Sequence, residues 1–176
     1  MWSIGPGFAA PWPSYAFRQE LEGNRLARYI VARDGERVVG YAGIWLMVDE
    51  AHITTFAVDP EYRRQGIGHA ILRELLALSH RVGAVVATLE VRATNVAARR
   101  LYERYGFRPV GVRPRYYTDN GEDALIMTTS ELTSRDMQER LRSLSAELDR
   151  RLVVSTGGEP EAQTGTGTGA SAERNP

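Results

Sequence analysis

Arg63-Arg64-Gln65-Gly66-Ile67-Gly68 stands between two different hydrophobic patterns. Before it lie the apolar run 53–58 and a turn, Asp59-Pro60-Glu61-Tyr62. After it come Ala70, Ile71, Leu72, Leu75, Leu76 and Leu78, apolar at helical spacing. A glycine-rich loop therefore joins a strand to the first turn of a helix. The free N–H groups of that turn, with the positive end of the helix dipole, suit a bound phosphate. Gly66 and Gly68 let the backbone approach a ligand with no side chain between them, and Arg63 and Arg64 add charge. The same letters would also serve an ordinary tight strand-to-helix turn. They do not form a dinucleotide fingerprint, which needs three glycines, or a P-loop, which needs a lysine. The chain has no lysine at all; its 22 basic residues are arginines.

Working outward, residues 29–33 read as a strand, Asp34-Gly35 as a hairpin turn and 38–47 as the return strand. Gly43 inside that strand predicts a bulge or a close approach. Asp49-Glu50 makes another turn, and 52–58 is the next strand. The helix after the glycine loop ends near Val82-Gly83. A strand follows over 85–91, then a short helix from Thr94-Asn95 to Tyr105, stopped by Gly106. Residues 107–112 and 125–129 read as a final antiparallel pair linked through 116–121. Upstream, Ser14 is a candidate cap for a helix carrying Phe17 and Leu21. The pattern is an α+β (mixed α/β) layer fold, a mixed central sheet flanked by helices.

Residues 130–152 read as an appended amphipathic helix, with Met137, Leu141, Leu144, Leu148 and Leu152 on one face. Docking on the domain is the simpler use of that face, a short coiled-coil contact the alternative. The tail 154–176, rich in Gly, Thr, Ser, Ala and Glu, cannot bury a core and is expected to be disordered. The organisation predicted is a domain over 1–129, a helix over 130–153 and a tail over 154–176.

Composition narrows the function classes. The 176 residues carry a formal net charge of zero, which gives no sign of a nucleic-acid or membrane surface. There is no cysteine, so no disulfide and no thiol nucleophile; this fits a reducing compartment. Residues 1–10 lack the pattern of a signal peptide, and no apolar run is long enough to span a bilayer. His52, His69 and His80 have no metal-ligand spacing and read as surface or edge residues, so no metal is expected.

Glu90 sits in the apolar strand 86–91, sharing a face with Thr88. A strand covered on both faces rarely carries a carboxylate, because burying an unpaired charge is expensive. It is a candidate general base, or else a strand-end residue paired with Arg92 or Arg115; spacing leaves the two balanced. Tyr102, on the short helix, is a candidate acid, though pattern alone favours a tyrosine packing its ring in the core. Asn95 is equally an N-cap.

The order strand, Val58-Asp59-Pro60, Tyr62-Arg63-Arg64-Gln65-Gly66-Ile67-Gly68, helix resembles the acyl-CoA pyrophosphate loop of the GNAT N-acetyltransferases. That family's Gln/Arg-x-x-Gly-x-Gly/Ala pattern is met by Arg63, Gly66 and Gly68. Leu89-Glu90-Val91-Arg92-Ala93-Thr94-Asn95, Leu101-Tyr102-Glu103, Tyr105-Gly106-Phe107, Pro11-Trp12, Asp49-Glu50-Ala51 and Arg115-Tyr116-Tyr117 resemble its bacterial ribosomal-protein-alanine N-acetyltransferase branch. The similarity runs from about residue 11 to 127. It implies acetyl-CoA as co-substrate, Glu90 as general base and Tyr102 as the acid that protonates the thiolate. It also implies that Asn95 contacts acetyl-CoA, that Phe56, Ala57 and Val58 hold the pantetheine arm, and that the loop amides Arg64, Gln65, Gly66, Ile67, Gly68 and His69 hold the pyrophosphate. Such domains open with an edge strand and a long helix before the residues matching Pro11-Trp12. Here ten residues precede them, so the first edge strand is expected to be missing, or to lie upstream of this start.

The resemblance implies a cytoplasmic enzyme that acetylates a protein N-terminus, with the N-terminal alanine of a small-subunit ribosomal protein as acceptor. It implies no nucleic-acid or membrane partner and leaves the oligomeric state open. The rivals are a GNAT acting on another peptide or small-molecule amine, and a catalytically silent acyl-CoA-binding module.

Overall fold

The computed structural model describes residues 22–156. The cap at Ser14, the Pro11-Trp12 segment, the expected loss of a first edge strand and the tail from residue 157 lie outside the described residues. Six strands form one mixed sheet: β1 (Ala27–Asp34), β2 (Arg37–Met47), β3 (Glu50–Val58), β4 (Val86–Arg92), β5 (Arg108–Tyr117) and β6 (Glu122–Thr128). Their spatial order is β1-β2-β3-β4-β6-β5. Among the described residues, three full α-helices accompany them: α1 (Ile67–Arg81), α2 (Val96–Arg104) and α3 (Arg135–Thr156). The α+β class expected from the periodicities is the architecture found.

β1 and β2 form an antiparallel hairpin that closes at Asp34↔Arg37, the turn predicted from Asp34-Gly35. β2 and β3 continue the meander. Both expectations for Gly43 hold. The β2–β3 register shifts between Gly43 and Ile44. A Cβ at Gly43 would also lie 2.3 Å from the Tyr29 ring, so only glycine lets that ring cross the strand.

From β3 the chain crosses through α1 to β4, which lies parallel to β3, the arrangement a helical crossover permits. α1 buries Ile71, Leu72, Leu75 and Leu76 against the sheet, and ends at Val82-Gly83 as predicted. β4 then pairs with β6, and β6 with β5. The core gathers Ile44, Ile53, Leu89, Met127, Tyr102, Tyr105 and Phe107 between sheet and helices.

Two boundaries differ from the sequence reading. Tyr116 and Tyr117 belong to β5, not to a connecting segment: register is lost between Arg113 and Tyr117, then pairing resumes at Tyr117↔Glu122. Arg115 takes a positive φ of 52°, and its N–H donates to the Asp123 carboxylate at 2.8 Å, which carries the strand through the irregularity. The appended helix begins at Arg135 rather than at 130 and runs to Thr156, so 154–156 is helical. The Ser134 hydroxyl accepts from the Met137 N–H and marks the helix start. Ahead of it, buried Leu132 donates its N–H to the Val85 carbonyl at 2.7 Å, pinning the connection to the sheet. Met137, Leu148, Leu141 and Leu144 turn inward, so α3 docks on its own chain.

Candidate active site

Pairing between β3 and β4 stops at Ile53↔Leu89, although β3 runs on to Val58 and β4 to Arg92. The two strands part there. Phe56, Ala57 and Val58 pair with β2 on one side only, as Ala42↔Phe56, Tyr41↔Ala57 and Gly40↔Val58. Their other edge faces the opening, where an extended ligand could add backbone hydrogen bonds. Glu90 lies one residue beyond the last pair, on the opposite wall.

The loop at the end of that opening has the shape the sequence predicts. Asp59 opens it by accepting from the Glu61 N–H at 3.0 Å. Arg63 donates to the Val58 carbonyl at 3.2 Å, and the Gln65 amide to the Glu61 carbonyl at 3.0 Å. Arg64 and Gly66 both have positive φ, 63° and 89°. Gly66 is the N-cap of α1 and no side chain caps the helix, which leaves the first-turn amides of Ile67 and Gly68 available to an anion. Gly68 packs against α2, where an added Cβ would stand 3.5 Å from Leu101.

Glu90 is a deeply buried carboxylate, its side chain 7% exposed. Its partners are not Arg92 or Arg115. His52 Nε2 lies 2.7 Å from one carboxylate oxygen, and the Arg113 Nε donates to the other at 2.9 Å. Register explains this: His52 on β3 is opposite Thr88, two residues from Glu90 and on the same face. His52 is thus part of the interior cluster rather than a surface or edge residue. Arg92 is engaged elsewhere, stacked over the Tyr117 ring at 3.8 Å and paired with Asp119 and Glu122. Glu122 also accepts from the Thr94 hydroxyl and N–H, and these bonds, with Arg92, hold its carboxyl down to about 2.

Tyr102 is 6% exposed. Its ring meets Phe56 edge-on at 5.9 Å and Phe107 at 5.7 Å. Burial pushes its hydroxyl well above the usual tyrosine range, and the nearby Tyr117 adds to the effect. Tyr117 is likewise raised, chiefly by its own burial, with a smaller effect from Glu90. At neutral pH Tyr102 keeps its proton and can give it to a stronger base. Asn95 caps α2, its Oδ1 accepting from the Ala98 N–H at 3.1 Å. Tyr105 donates its hydroxyl to the His69 carbonyl at 3.0 Å and ties α2 to the first turn of α1.

The opening between the strands, the uncapped helix turn at its end, a buried carboxylate and a protonated tyrosine thus surround one region. His52, Arg113, Tyr105 and Tyr117 were missed from sequence. The strand register and the full length of β5 bring in His52, Arg113 and Tyr117, and the packing of α2 on the first turn of α1 brings in Tyr105. Among the described residues, no group of three or more His, Asp or Glu could hold a metal, and no helix is long and apolar enough to cross a membrane.

The family model for the acetyltransferase (GNAT) family matches residues 2–107. The N-alpha-acetyltransferase RimI of Mycobacterium tuberculosis is 46% identical over 121 residues, 66% of this chain and 74% of that one. Among solved structures, the ribosomal-protein-S18-alanine N-acetyltransferase from Escherichia coli superposes with a TM-score of 0.62 at 36% identity, over 69% of this chain and 78% of that one. A GNAT family acetyltransferase from Elizabethkingia anophelis with acetyl-CoA bound shares the fold, with a TM-score of 0.59 at 18% identity over 67% of this chain and 83% of that one. The chain belongs to the GNAT acetyltransferase family, and the fold expected from its glycine loop is the fold of that family.

Proposed function

We propose that this GNAT acetyltransferase moves an acetyl group from acetyl-CoA to the N-terminal α-amine of a protein, the acceptor being the N-terminal alanine of a small-subunit ribosomal protein, in the cytoplasm. The observation that carries the reading is the parting of β3 and β4 beside Glu90, with Tyr102 across it and the uncapped turn of α1 at its end. The similarity to the Escherichia coli enzyme named for that acceptor supports the choice of substrate. The catalytic domain is residues 1–129, and α3 is an addition to it. A formal net charge of zero gives no support for a nucleic-acid partner.

The opening fits acetyl-CoA. The free edge of Phe56-Ala57-Val58 offers amides and carbonyls to a pantetheine arm, and the amides of Arg64, Gln65, Gly66, Ile67, Gly68 and His69 offer a seat for the pyrophosphate. Asn95 stands at the start of α2 beside the same opening. Acetyl-CoA supplies an activated thioester. Glu90 takes a proton from the incoming ammonium and leaves an amine that can attack. His52 and Arg113 fix the orientation of the Glu90 carboxylate, and the Arg113 guanidinium balances its charge. Tyr102 donates its hydroxyl proton to the sulfur as the C–S bond breaks, so that CoA leaves as the thiol and no free thiolate builds up, and the tyrosine then regains a proton from solvent. No protein nucleophile is needed, in keeping with a chain free of cysteine.

Turnover of acetyl-CoA by the purified protein, measured with peptides beginning in Ala, Ser or Met beside a peptide with an internal lysine, tests the reading. Preference for the Ala peptide is expected. Preference for lysine would make the protein a GNAT of different acceptor, and tight CoA binding with no turnover on any amine would make it a silent module.

A further inference from the structure

α3 lies across the point where the glycine loop enters α1. Leu148 is buried, and its Cδ1 is 3.4 Å from where a Cβ would stand at Gly66. Gly66, His69, Arg104, Leu144, Glu147 and Leu148 line one small cavity beside the loop. Inside it the Glu147 carboxylate pairs with the Arg104 guanidinium. Side-chain bonds to backbone carbonyls hold the Arg104 end in place. Arg140 donates to the Arg104 carbonyl at 3.3 Å, and Tyr105, the next residue, reaches the His69 carbonyl. The acetyl-transfer mechanism uses neither Arg104 nor Glu147.

We propose that Arg104 binds a phosphate of CoA, and that Glu147 is a resident carboxylate which that phosphate displaces. The proposal rests on the acyl-CoA reading of the loop. A carboxylate held beside an uncapped helix N-terminus and an arginine occupies the electrostatic position of a phosphate. Phosphate carries more charge than carboxylate and matches the guanidinium fork equally well, so Arg104 gains by the exchange. The Arg104–Glu147 pair is a third or more exposed, 39% and 35%, and pairs so exposed are weak, so a swing of the two side chains suffices. The appended helix thereby sets the affinity for the co-substrate from outside the catalytic opening. Loss of its carboxylate tightens binding, and loss of Arg104 weakens it.

Isothermal titration with CoA and with 3′-dephospho-CoA, on the wild-type chain and on Glu147→Gln, Arg104→Gln and the double variant, tests this. Glu147→Gln should bind CoA about two- to fivefold more tightly, the scale of a partly exposed charge interaction. Arg104→Gln should bind roughly fivefold more weakly, and in its background Glu147→Gln should bring no gain. A gain kept with 3′-dephospho-CoA assigns Arg104 to the pyrophosphate; a gain lost assigns it to the ribose phosphate. Melting temperatures identify any variant that has not folded, and Arg104→Lys, which keeps the charge, should retain most of the affinity. Unchanged or weaker CoA binding by folded Glu147→Gln, or a gain that survives Arg104→Gln, overturns the exchange while leaving acyl-CoA binding intact. A wild-type chain that binds no CoA overturns the acyl-CoA reading and this proposal with it.

Discussion

His52 Nε2 lies 2.7 Å from the Glu90 carboxylate, across 38 residues of sequence. The contact joins two strands at the last rung of their ladder, next to the opening between them. It places a titratable ring on a buried carboxylate beside the opening. With Arg113 on the other oxygen, both lone-pair sides of Glu90 are directed by the fold.

Replacing Glu90 with Gln keeps the shape and removes the base. Turnover should fall by about 10²–10⁴-fold if Glu90 is the sole base, with acetyl-CoA affinity unchanged. The deficit should shrink as pH rises, because more of the acceptor amine is then already neutral. Steady-state rates against pH, beside calorimetric CoA titrations, check this, and wild-type turnover at neutral pH would make Glu90 structural.

His52→Ala should also lower turnover, but by less, because it orients the base rather than being the base. The losses should not add: His52→Ala in a Glu90→Gln background should cost almost nothing further, as for residues that act as one unit. Full additivity in that double variant would separate His52 from the Glu90 chemistry.

How far could these contacts be read from the chain? The hairpin at Asp34-Gly35, the bulge at Gly43 and the strand–loop–helix around Gly66 rest on local rules, and each was legible. Glu90 was legible as a candidate because a carboxylate in an apolar strand is costly to bury, whereas Tyr102 was legible as an acid only through the resemblance of Leu101-Tyr102-Glu103, since pattern alone favoured a packed ring. Their partners were not. His52 reaches Glu90 only through a parallel pairing whose register depends on how α1 packs. Arg113 reaches it only because β5 runs past Val112, its ladder broken at Arg115 by a positive φ that no residue type announces. The contact of Leu148 with the glycine loop depends on where α3 docks, which periodicity alone leaves open between its own chain and another.

Gly66→Val should disturb two things. At a φ of 89° a β-branched residue is strained, so the melting temperature should drop, as expected for a forced left-handed conformation. Its side chain would also enter the space beside the loop amides, so CoA affinity should drop further than the stability loss explains. Gly68→Ala provides the comparison. Its Cβ meets only Leu101 at 3.5 Å and Val58 at 3.8 Å, ordinary contacts, and it should fold normally. Unchanged CoA affinity in folded Gly66→Val would remove the loop from the binding site.

Glu122 links β6 to the start of α2 through Thr94 and Arg92, and its carboxyl is held at about 2 instead of 4.5. A depressed carboxyl stabilises the fold only while it is ionised in the folded state and would be protonated more readily when unfolded. Its contribution is therefore complete above about pH 5 and is lost as pH falls through 4.5 toward 2. The difference in melting temperature between wild type and Glu122→Gln should be flat at neutral pH and close progressively over that acid range. A difference that stays constant down to pH 3 would mean that Glu122 acts by shape alone.

Tyr102 separates packing from chemistry within one side chain. Its ring sits between Phe56 and Phe107, and its hydroxyl is kept protonated by burial. Tyr102→Phe keeps the ring and its volume, so stability should change by no more than a mild core substitution, within about 1.5 kcal/mol. Tyr102→Ala empties the site and should cost about 3–5 kcal/mol. If the hydroxyl protonates the departing thiolate, turnover should fall in the Phe variant with acetyl-CoA affinity held, as for an interaction made mainly in the transition state. A leaving group that is already a weak base needs that proton less, so a thioester analogue with a more acidic thiol should recover much of the lost rate in the Phe variant but gain little in wild type. Packing alone predicts the reverse pattern: near-normal rates in Tyr102→Phe, and loss only in Tyr102→Ala through unfolding. Thermal melts and steady-state rates on both variants, with both thioesters, decide between them. Near-normal turnover of the Phe variant would leave the thiolate to be protonated by water.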